Sequence, residues 1–396
     1  LPNVVAQSSA AFFRAANPST FSYAFLTVGN ANLLTEYGTE EQIDTWVRPM
    51  LEGRYFGTMC LSEPDAGSSL ADISSKATKA ADGTYRVTGT KMWITGGDHE
   101  LSENIVHLVL AKVPGGGPGV KGISLFIVPK FLTDGTRNDV ALVSLNHKMG
   151  NHGTTNALLN FGDGSHQPTD EPGAVGYLVG EEHRGLAYMF HMMNEARVAV
   201  GSMATAIGYA GYLTSLEYAK VRTQGRPVGD KDPSRSQVAI IEHADVKRML
   251  LAQKSYVEGA LALGLYSARL VDEIKVLTGA ERDEAELMLE VLTPIAKSWP
   301  SQWCLEANSL AIQVHGGYGY TREYDVEQHY RDNRLNPIHE GTHGIQALDL
   351  LGRKVTMQGG AAFGAFFETV NSTISDAESA GGEAAELAGK LKDAMG

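Results

Sequence analysis

Two cysteines in 396 residues, Cys60 and Cys304, supply neither a disulfide framework nor a metal-ligand spacing. Both read as buried packing residues, a reducing compartment fits their scarcity, and the cytoplasm is the default location. Positive charge is also short, with 33 Lys and Arg against 46 Asp and Glu and a formal net charge of -13. No basic run offsets that balance, which excludes nucleic acid as a partner class. No apolar run reaches the roughly 20 residues that cross a bilayer, so membrane insertion is not expected. The opening LPNVVAQSSAAFF lacks the basic region of a signal peptide. His99, His107, His147 and His152 fall at no metal spacing and read as surface or loop residues, so no metal site is expected.

What is present divides by periodicity, and 396 residues are enough for two or three cores. Residues 1–57 read as helices: Ala10–Ala16 is amphipathic, Pro18-Ser19-Thr20 is a start signal and Phe25–Tyr37 is largely apolar. Thr39-Glu40-Glu41-Gln42 reads as an N-cap leading into Ile43–Leu51. From 58 to 180 the pattern switches to strands, at Ser74–Ala80, Tyr85–Thr88, Lys91–Gly97, Ile105–Val113, Ile123–Pro129, Val140–Leu145 and Asn156–Phe161. Many short strands with turn signals predict a small β-barrel or sandwich. From 181 to 355 helices return: one long helix from Glu181 to Arg222, rich in Ala, Gly and Met, then Ile240–Ser267 and Ala285–Leu310 around a charged turn at Gly279–Glu284. A final Ala/Gly/Glu-rich extension, 356–396, is weakly amphipathic. The fold class is α+β.

One carboxylate stands out, Glu340, in Ile338-His339-Glu340-Gly341-Thr342. The glycine frees the backbone to turn, and the threonine suits the start of a helix whose apolar positions are Ile345, Leu348 and Leu351. A carboxylate among apolar neighbours is desolvated, which raises its pKa and makes it a usable base. From these residues alone, a helix-start Glu capping its own backbone is the favoured reading. Upstream lie Gln313-Val314-His315-Gly316-Gly317-Tyr318-Gly319 and Tyr330-Arg331-Asp332.

These three motifs in this order resemble the acyl-CoA dehydrogenase family, which carries Gln-x-x-Gly-Gly-x-Gly, Tyr-Arg-Asp and then a catalytic Glu-Gly-Thr. Ser62-Glu63-Pro64-Asp65-Ala66-Gly67-Ser68 is similar to the family's Thr-Glu-Pro-x-Ala-Gly-Ser signature, and Met92-Trp93-Ile94-Thr95 to its second flavin strand. The resemblance implies an N-terminal helical domain (of which 1–57 is only the second part), a central β domain and a C-terminal four-helix bundle. It also implies FAD, with Met59, Leu61, Ser62, Trp93 and Thr95 at the flavin ring. Arg222, Gln313, Gly316, Gly317 and Thr342 would hold the rest of the cofactor across a subunit interface, so a dimer or tetramer is implied. Ser68, Asn194, Arg197, His339 and Gly341 would border the CoA arm and acyl pocket. Among the longer members, the sequence looks closest to the methylmercaptopropionyl-CoA dehydrogenase group, through Asn104–Ala111, Lys121–Lys130 and Val175–Arg184.

The implied chemistry is α,β-dehydrogenation of an acyl-CoA thioester. Glu340 would remove the α-proton as the β-hydrogen leaves as hydride to flavin N5, and electrons would pass to an electron-transfer flavoprotein. The enolate would be met by the Glu340 backbone N–H and a ribityl hydroxyl. Some members take their base from the position matching Ala196, where alanine does no proton chemistry. Beside two mild departures, Ser62 where Thr is usual and Ser69 where Asp is frequent, three others are visible. The Phe of Arg-x-Gln-Phe-Gly is missing after Gln224, Gly344 stands where a larger polar residue is frequent, and His339 replaces a common Tyr. His339 is expected to make the pocket more polar or its pH profile steeper. An acyl-CoA oxidase, or a flavin-binding relative without catalysis, are the rival readings.

Overall fold

The computed structural model describes the backbone of all residues except Lys231 and Gly396, and within the long central helix leaves the side chains of His191, Asn194 and Glu195 undescribed. In chain order the elements begin with α1 (Asn3–Ala16), α2 (Pro18–Tyr37), α3 (Glu40–Gln42) and α4 (Arg48–Leu51). The strands follow: β1 (Tyr55–Cys60), β2 (Lys76–Lys79), β3 (Tyr85–Thr95), β4 (Asn104–Lys112), β5 (Ile123–Pro129), β6 (Val140–Leu145), β7 (Asn156–Phe161) and β8 (Ala174–Leu178). Then come α5 (Gly185–Val221), α6 (Ala244–Val276), α7 (Gly279–His315), α8 (Val326–Asn333), α9 (His343–Asp349), α10 (Ala361–Ala380) and α11 (Gly382–Met395). By packing the chain divides into two compact units, one of Phe13–Ala196 with Glu327–Leu335, the other of Leu1–Phe12, Arg197–Val326 and Asn336–Gly396.

In the first unit the sheet closes on itself. β4 pairs with β5, β5 with β8, β8 with β3, β3 with β2, and β2 returns to β4 through Lys76 and Lys112. The ring leaves no open edge among those five strands, which is how a barrel removes the aggregation liability of an edge. The β-barrel expectation is therefore met, with β8 added, a five-residue strand that the sequence reading did not include. The two segments expected at Tyr85–Thr88 and Lys91–Gly97 are one strand, because β3 serves two neighbours. Its first half pairs with β2 and β8, and its second half with β7. Between Lys91 and Ile94 the register with β7 shifts by one residue, a bulge at Met92-Trp93.

Helix α2 covers β1 and β4 through Asn30, whose Nδ2 donates to the carbonyls of Thr58 at 3.3 Å and Val106 at 3.0 Å. Gly57 is required there, because a Cβ would lie 2.6 Å from that of Asn30. The N-cap expected at Thr39 is a capping box with Gln42. His107 corrects the expectation of a surface or loop histidine: it lies on β4 with no exposed surface, its Nδ1 2.7 Å from Thr58 Oγ1. Burial drives it down to about 3, so it is a neutral core group.

The second unit is helical. Gly201 of α5 lets α7 come close, since a Cβ there would meet the Ala296 carbonyl oxygen at 1.8 Å. The first turns of α5, up to Ala196, belong to the first unit, and the helix begins there at Gly185, later than the expected Glu181, because His183 adopts φ 65 and donates its N–H to Ser124 Oγ at 2.8 Å. Both following helices are longer than expected. α7 absorbs the charged segment Gly279–Glu284, where Glu281 sits favourably in its first turn. The extension forms α10 and α11, and Phe366 of α10 packs against the cluster of Leu270, Ala285, Met288 and Leu292. No helix among the described residues is long and apolar enough to cross a membrane.

Candidate active site

In the first unit, the Ser62–Ser68 loop is fastened to the bulge of β3. Met92 N–H donates to the Ser62 carbonyl at 2.9 Å, and buried Lys91 donates to the Leu61 carbonyl at 2.9 Å and to Glu63 Oε1 at 3.0 Å. Glu63 also accepts from the hydroxyls of Ser74 and Ser75, each at 2.6 Å. These bonds bring Leu61 and Ser62 beside the segment carrying Trp93 and Thr95, and Met59 lies half-buried on β1 just before them. Trp93 is not a core residue. It sits at φ 67 with 58% of its surface exposed, so the bulge aims a large flat ring outward. An exposed indole in a left-handed conformation fits a planar ring system as its cover. Ser68 is exposed on the loop.

In the second unit, a cavity of about 460 Å³ is lined by Arg222, Gln224, His315, Gly316, Gly317 and Tyr318 among others. Gly316 turns at φ 61, and a Cβ on Gly316 or Gly317 would meet nothing within 4 Å, so the backbone there is open to a ligand. His315 stacks on Tyr218 at 4.2 Å, Arg222 lies 5.6 Å over the Tyr318 ring, and the buried His315 Nε2 has no hydrogen-bond partner. An arginine, open backbone and an unpartnered ring nitrogen suit the phosphate and polar parts of a dinucleotide. Gln313 is exposed, and its carbonyl accepts the Gly316 N–H.

Glu340 stands in the same unit, on a turn at φ 53, followed by Gly341 at φ 91. Thr342 is the N-cap of α9, its hydroxyl accepting from Ile345 N–H at 3.5 Å. Both readings of this carboxylate can now be separated, since the capping oxygen belongs to Thr342. Burial pushes the Glu340 carboxyl up to about 7 against the opposing pull of Lys297 and Arg197. Lys297 Nζ donates to the carbonyls of Asn336 at 2.9 Å and Gly341 at 2.6 Å, and Gln346 Nε2 donates to the Glu340 carbonyl at 3.1 Å. Buried Arg197 pairs with Asp349 at 2.8 Å. His339 Nε2 meets Asn336 Oδ1 at 3.1 Å, and burial beside Lys297 drives the ring down to about 3. It therefore adds polarity near Glu340 and no titration in the neutral range. The Asn194 side chain lies outside the described residues.

The structure thus gathers the expected residues into three groups: Met59, Leu61, Ser62, Trp93 and Thr95; Arg222, Gly316 and Gly317; and Arg197, His339, Glu340, Gly341 and Thr342. Sequence reading missed Glu63, Lys91, Lys297 and Gln346. Lys297 left one signal, a lone charge in the mostly apolar Pro294–Pro300 stretch.

The description "Acyl-CoA dehydrogenase, C-terminal domain" matches residues 183–355, and "Acyl-CoA dehydrogenase, middle domain" matches 58–163. The short-chain-specific acyl-CoA dehydrogenase of Megasphaera elsdenii is 30% identical over 80% of this chain and 73% of its own length. The chain belongs to the acyl-CoA dehydrogenase family. This is a family of FAD-dependent flavoproteins, oxidoreductases that act on acyl-CoA. The 3-methylmercaptopropionyl-CoA dehydrogenase of Ruegeria pomeroyi is 40% identical over 100% of this chain and 66% of its own length. Relatives sharing 36–40% of its residues are longer, and the chain spans 57–66% of their length. Among solved structures, butyryl-CoA dehydrogenase from Megasphaera elsdenii superposes with a TM-score of 0.69 at 26% identity, covering 86% of this chain and 78% of that one.

Proposed function

We propose that this chain carries the catalytic part of an enzyme that removes hydrogen from Cα and Cβ of an acyl-CoA thioester, with Glu340 as the base. One observation carries the reading. The carboxylate of the Glu-Gly-Thr motif stands on a half-buried turn at φ 53 that Lys297 and Gln346 hold through the Gly341 and Glu340 carbonyls, and desolvation there raises it to about 7, in the range of a usable base. An ordinary surface carboxylate, fully ionised and well hydrated, is a far weaker base toward a carbon acid.

The α-proton passes to a Glu340 carboxylate oxygen, and negative charge develops at the thioester oxygen. The Glu340 backbone N–H is the donor this chain offers to that oxygen. FAD, when bound, would supply the acceptor for the β-hydrogen as hydride. Trp93, Thr95, Met59, Leu61 and Ser62 are proposed to border its ring, and Arg222 with the backbone at Gly316 and Gly317 its phosphates. Gln313 and Thr342 belong to the same cofactor-binding proposal. Arg197, His339 and Gly341, with Ser68 and Asn194, are proposed to border the thioester and its CoA arm.

Electrons would leave to an electron-transfer flavoprotein, and the cofactor would be shared within a homodimer or tetramer. A cytoplasmic setting suits the buried free thiols of Cys60 and Cys304, both pushed up to about 12 by burial. The discriminating experiment supplies a panel of acyl-CoAs to the FAD-loaded protein, once under argon with an artificial acceptor and once with an oxygen electrode. Turnover under argon with little oxygen uptake is the dehydrogenase outcome. Oxygen consumption matching turnover would make the protein an oxidase instead.

A further inference from the structure

Lys297 has no exposed surface, yet among the described residues no carboxylate forms an ion pair with it. A methionine would fill that volume on α7 without the cost of taking an ammonium out of water. The lysine instead places one donor on each side of the base. Asn336 O at 2.9 Å precedes the turn and Gly341 O at 2.6 Å follows Glu340. Gln346 Nε2 backs the second carbonyl from α9 at 3.3 Å.

The other charges around Glu340 are engaged elsewhere. Arg197 of α5 is paired with Asp349 of α9 at 2.8 Å, and Asp349 also takes Arg353 at 3.0 Å. Lys354 is paired with Glu290 of α7. On the turn itself His339 is neutral, facing Asn336. The Lys297 ammonium is thus the cation whose charge Glu340 meets without a competing carboxylate among the described residues. The Coulomb attraction is mutual, since Glu340 supports the charge of Lys297 while burial pulls it down to about 8.

We infer that Lys297 is the positioning residue of the base: its ammonium clamps both ends of the Glu340 turn and sets how readily that carboxylate keeps its negative charge. This rests on the reading above in which Glu340 takes the α-proton.

The test follows the Glu340 carboxyl directly, by NMR of chain labelled with ¹³C at glutamate Cδ, the resonance being assigned by its loss in Glu340→Gln. Lys297→Met should raise the titration midpoint by about one pH unit or more, because the cation that holds this carboxyl down is removed. Gln346→Met, which loosens the turn without removing charge, should leave the midpoint where it is. An unmoved midpoint in Lys297→Met would overturn the inference. Should the Met variant not fold, Lys297→Arg decides. It keeps the charge, but its planar fork cannot place single donors on two separated carbonyls. Its midpoint should stay and the rate of flavin bleaching by substrate should fall roughly tenfold or more; a wild-type rate would overturn the positioning role. If Glu340→Gln bleached as fast as wild type, the base reading would fail first. Lys297 would then have no part in the reaction, even with the midpoint shift intact.

Discussion

Lys91 and Glu63 form an ion pair at 3.0 Å with 0% and 5% of their side chains exposed, and it ties the Ser62 loop to the strand that carries Trp93. Removing one partner leaves the other charge buried and alone. Lys91→Met should therefore destabilise the β unit by about 3–5 kcal/mol, whereas the double variant Lys91→Met/Glu63→Gln should recover much of the loss. Denaturant unfolding of the three proteins checks this. Equal stability of the single variant and wild type would show that the pair is not the fastening.

The same unit should weaken in acid. Burial pushes the Glu63 carboxyl up, but Lys91 and the hydroxyls of Ser74 and Ser75 overcome it and bring it to about 2. A depressed carboxyl contributes stability above its unfolded value near 4.5, and that contribution disappears as pH falls from about 4.5 to 2. His107, held neutral down to about 3, acts in the same direction over a higher window. The unfolded chain takes up its proton below about 6.5 and the folded one does not, which costs about 1.4 kcal/mol per pH unit between 6.5 and 3. His107→Gln should flatten the upper part of the decline in Tm between pH 6 and 4, and an unchanged slope would refute the assignment.

Trp93→Gly separates a binding role from a packing role. The indole is 58% exposed and its φ of 67 suits glycine, so stability should change by less than about 1 kcal/mol. Flavin retention on gel filtration should fall sharply. A large loss of Tm with flavin retained would show a packing role for Trp93 instead.

Gly341 is required by its own geometry. At φ 91 a Cβ would lie 2.4 Å from Gln346 Nε2, so Gly341→Ala must displace the side chain that holds the Glu340 carbonyl. Turnover should drop by about 10²-fold, with a stability loss of roughly 1–3 kcal/mol, because the base is moved rather than removed. Wild-type turnover in this variant would show that the turn tolerates the shift.

How far the letters led depended on what each feature needed. Glu-Gly-Thr and Gly-Gly-x-Gly were legible because glycine at positive φ leaves a composition signal, and Gly316 and Gly341 both adopt it. The barrel was legible from strand alternation. Its closure was not, since the step from β2 to β4 is a single residue pair, Lys76 with Lys112. The continuity of β3 was hidden because its two halves pair with different strands. Lys297 lies 43 residues before Glu340 in the chain (340 less 297), and only the packing of α7 against the turn brings its Nζ to the Gly341 carbonyl. Contacts of that kind are set by tertiary structure and leave little in local sequence.

The central claim is that Glu340 takes the α-proton, and the visible spectrum of the FAD-loaded chain under argon tests it most directly. Wild-type flavin absorbance should bleach on adding an accepted acyl-CoA. Glu340→Gln should retain its flavin and bleach at least about 10²–10⁴-fold more slowly, the range expected for loss of a positioned base. Bleaching of the Gln variant at the wild-type rate would contradict the account, as would wild-type flavin that no thioester reduces.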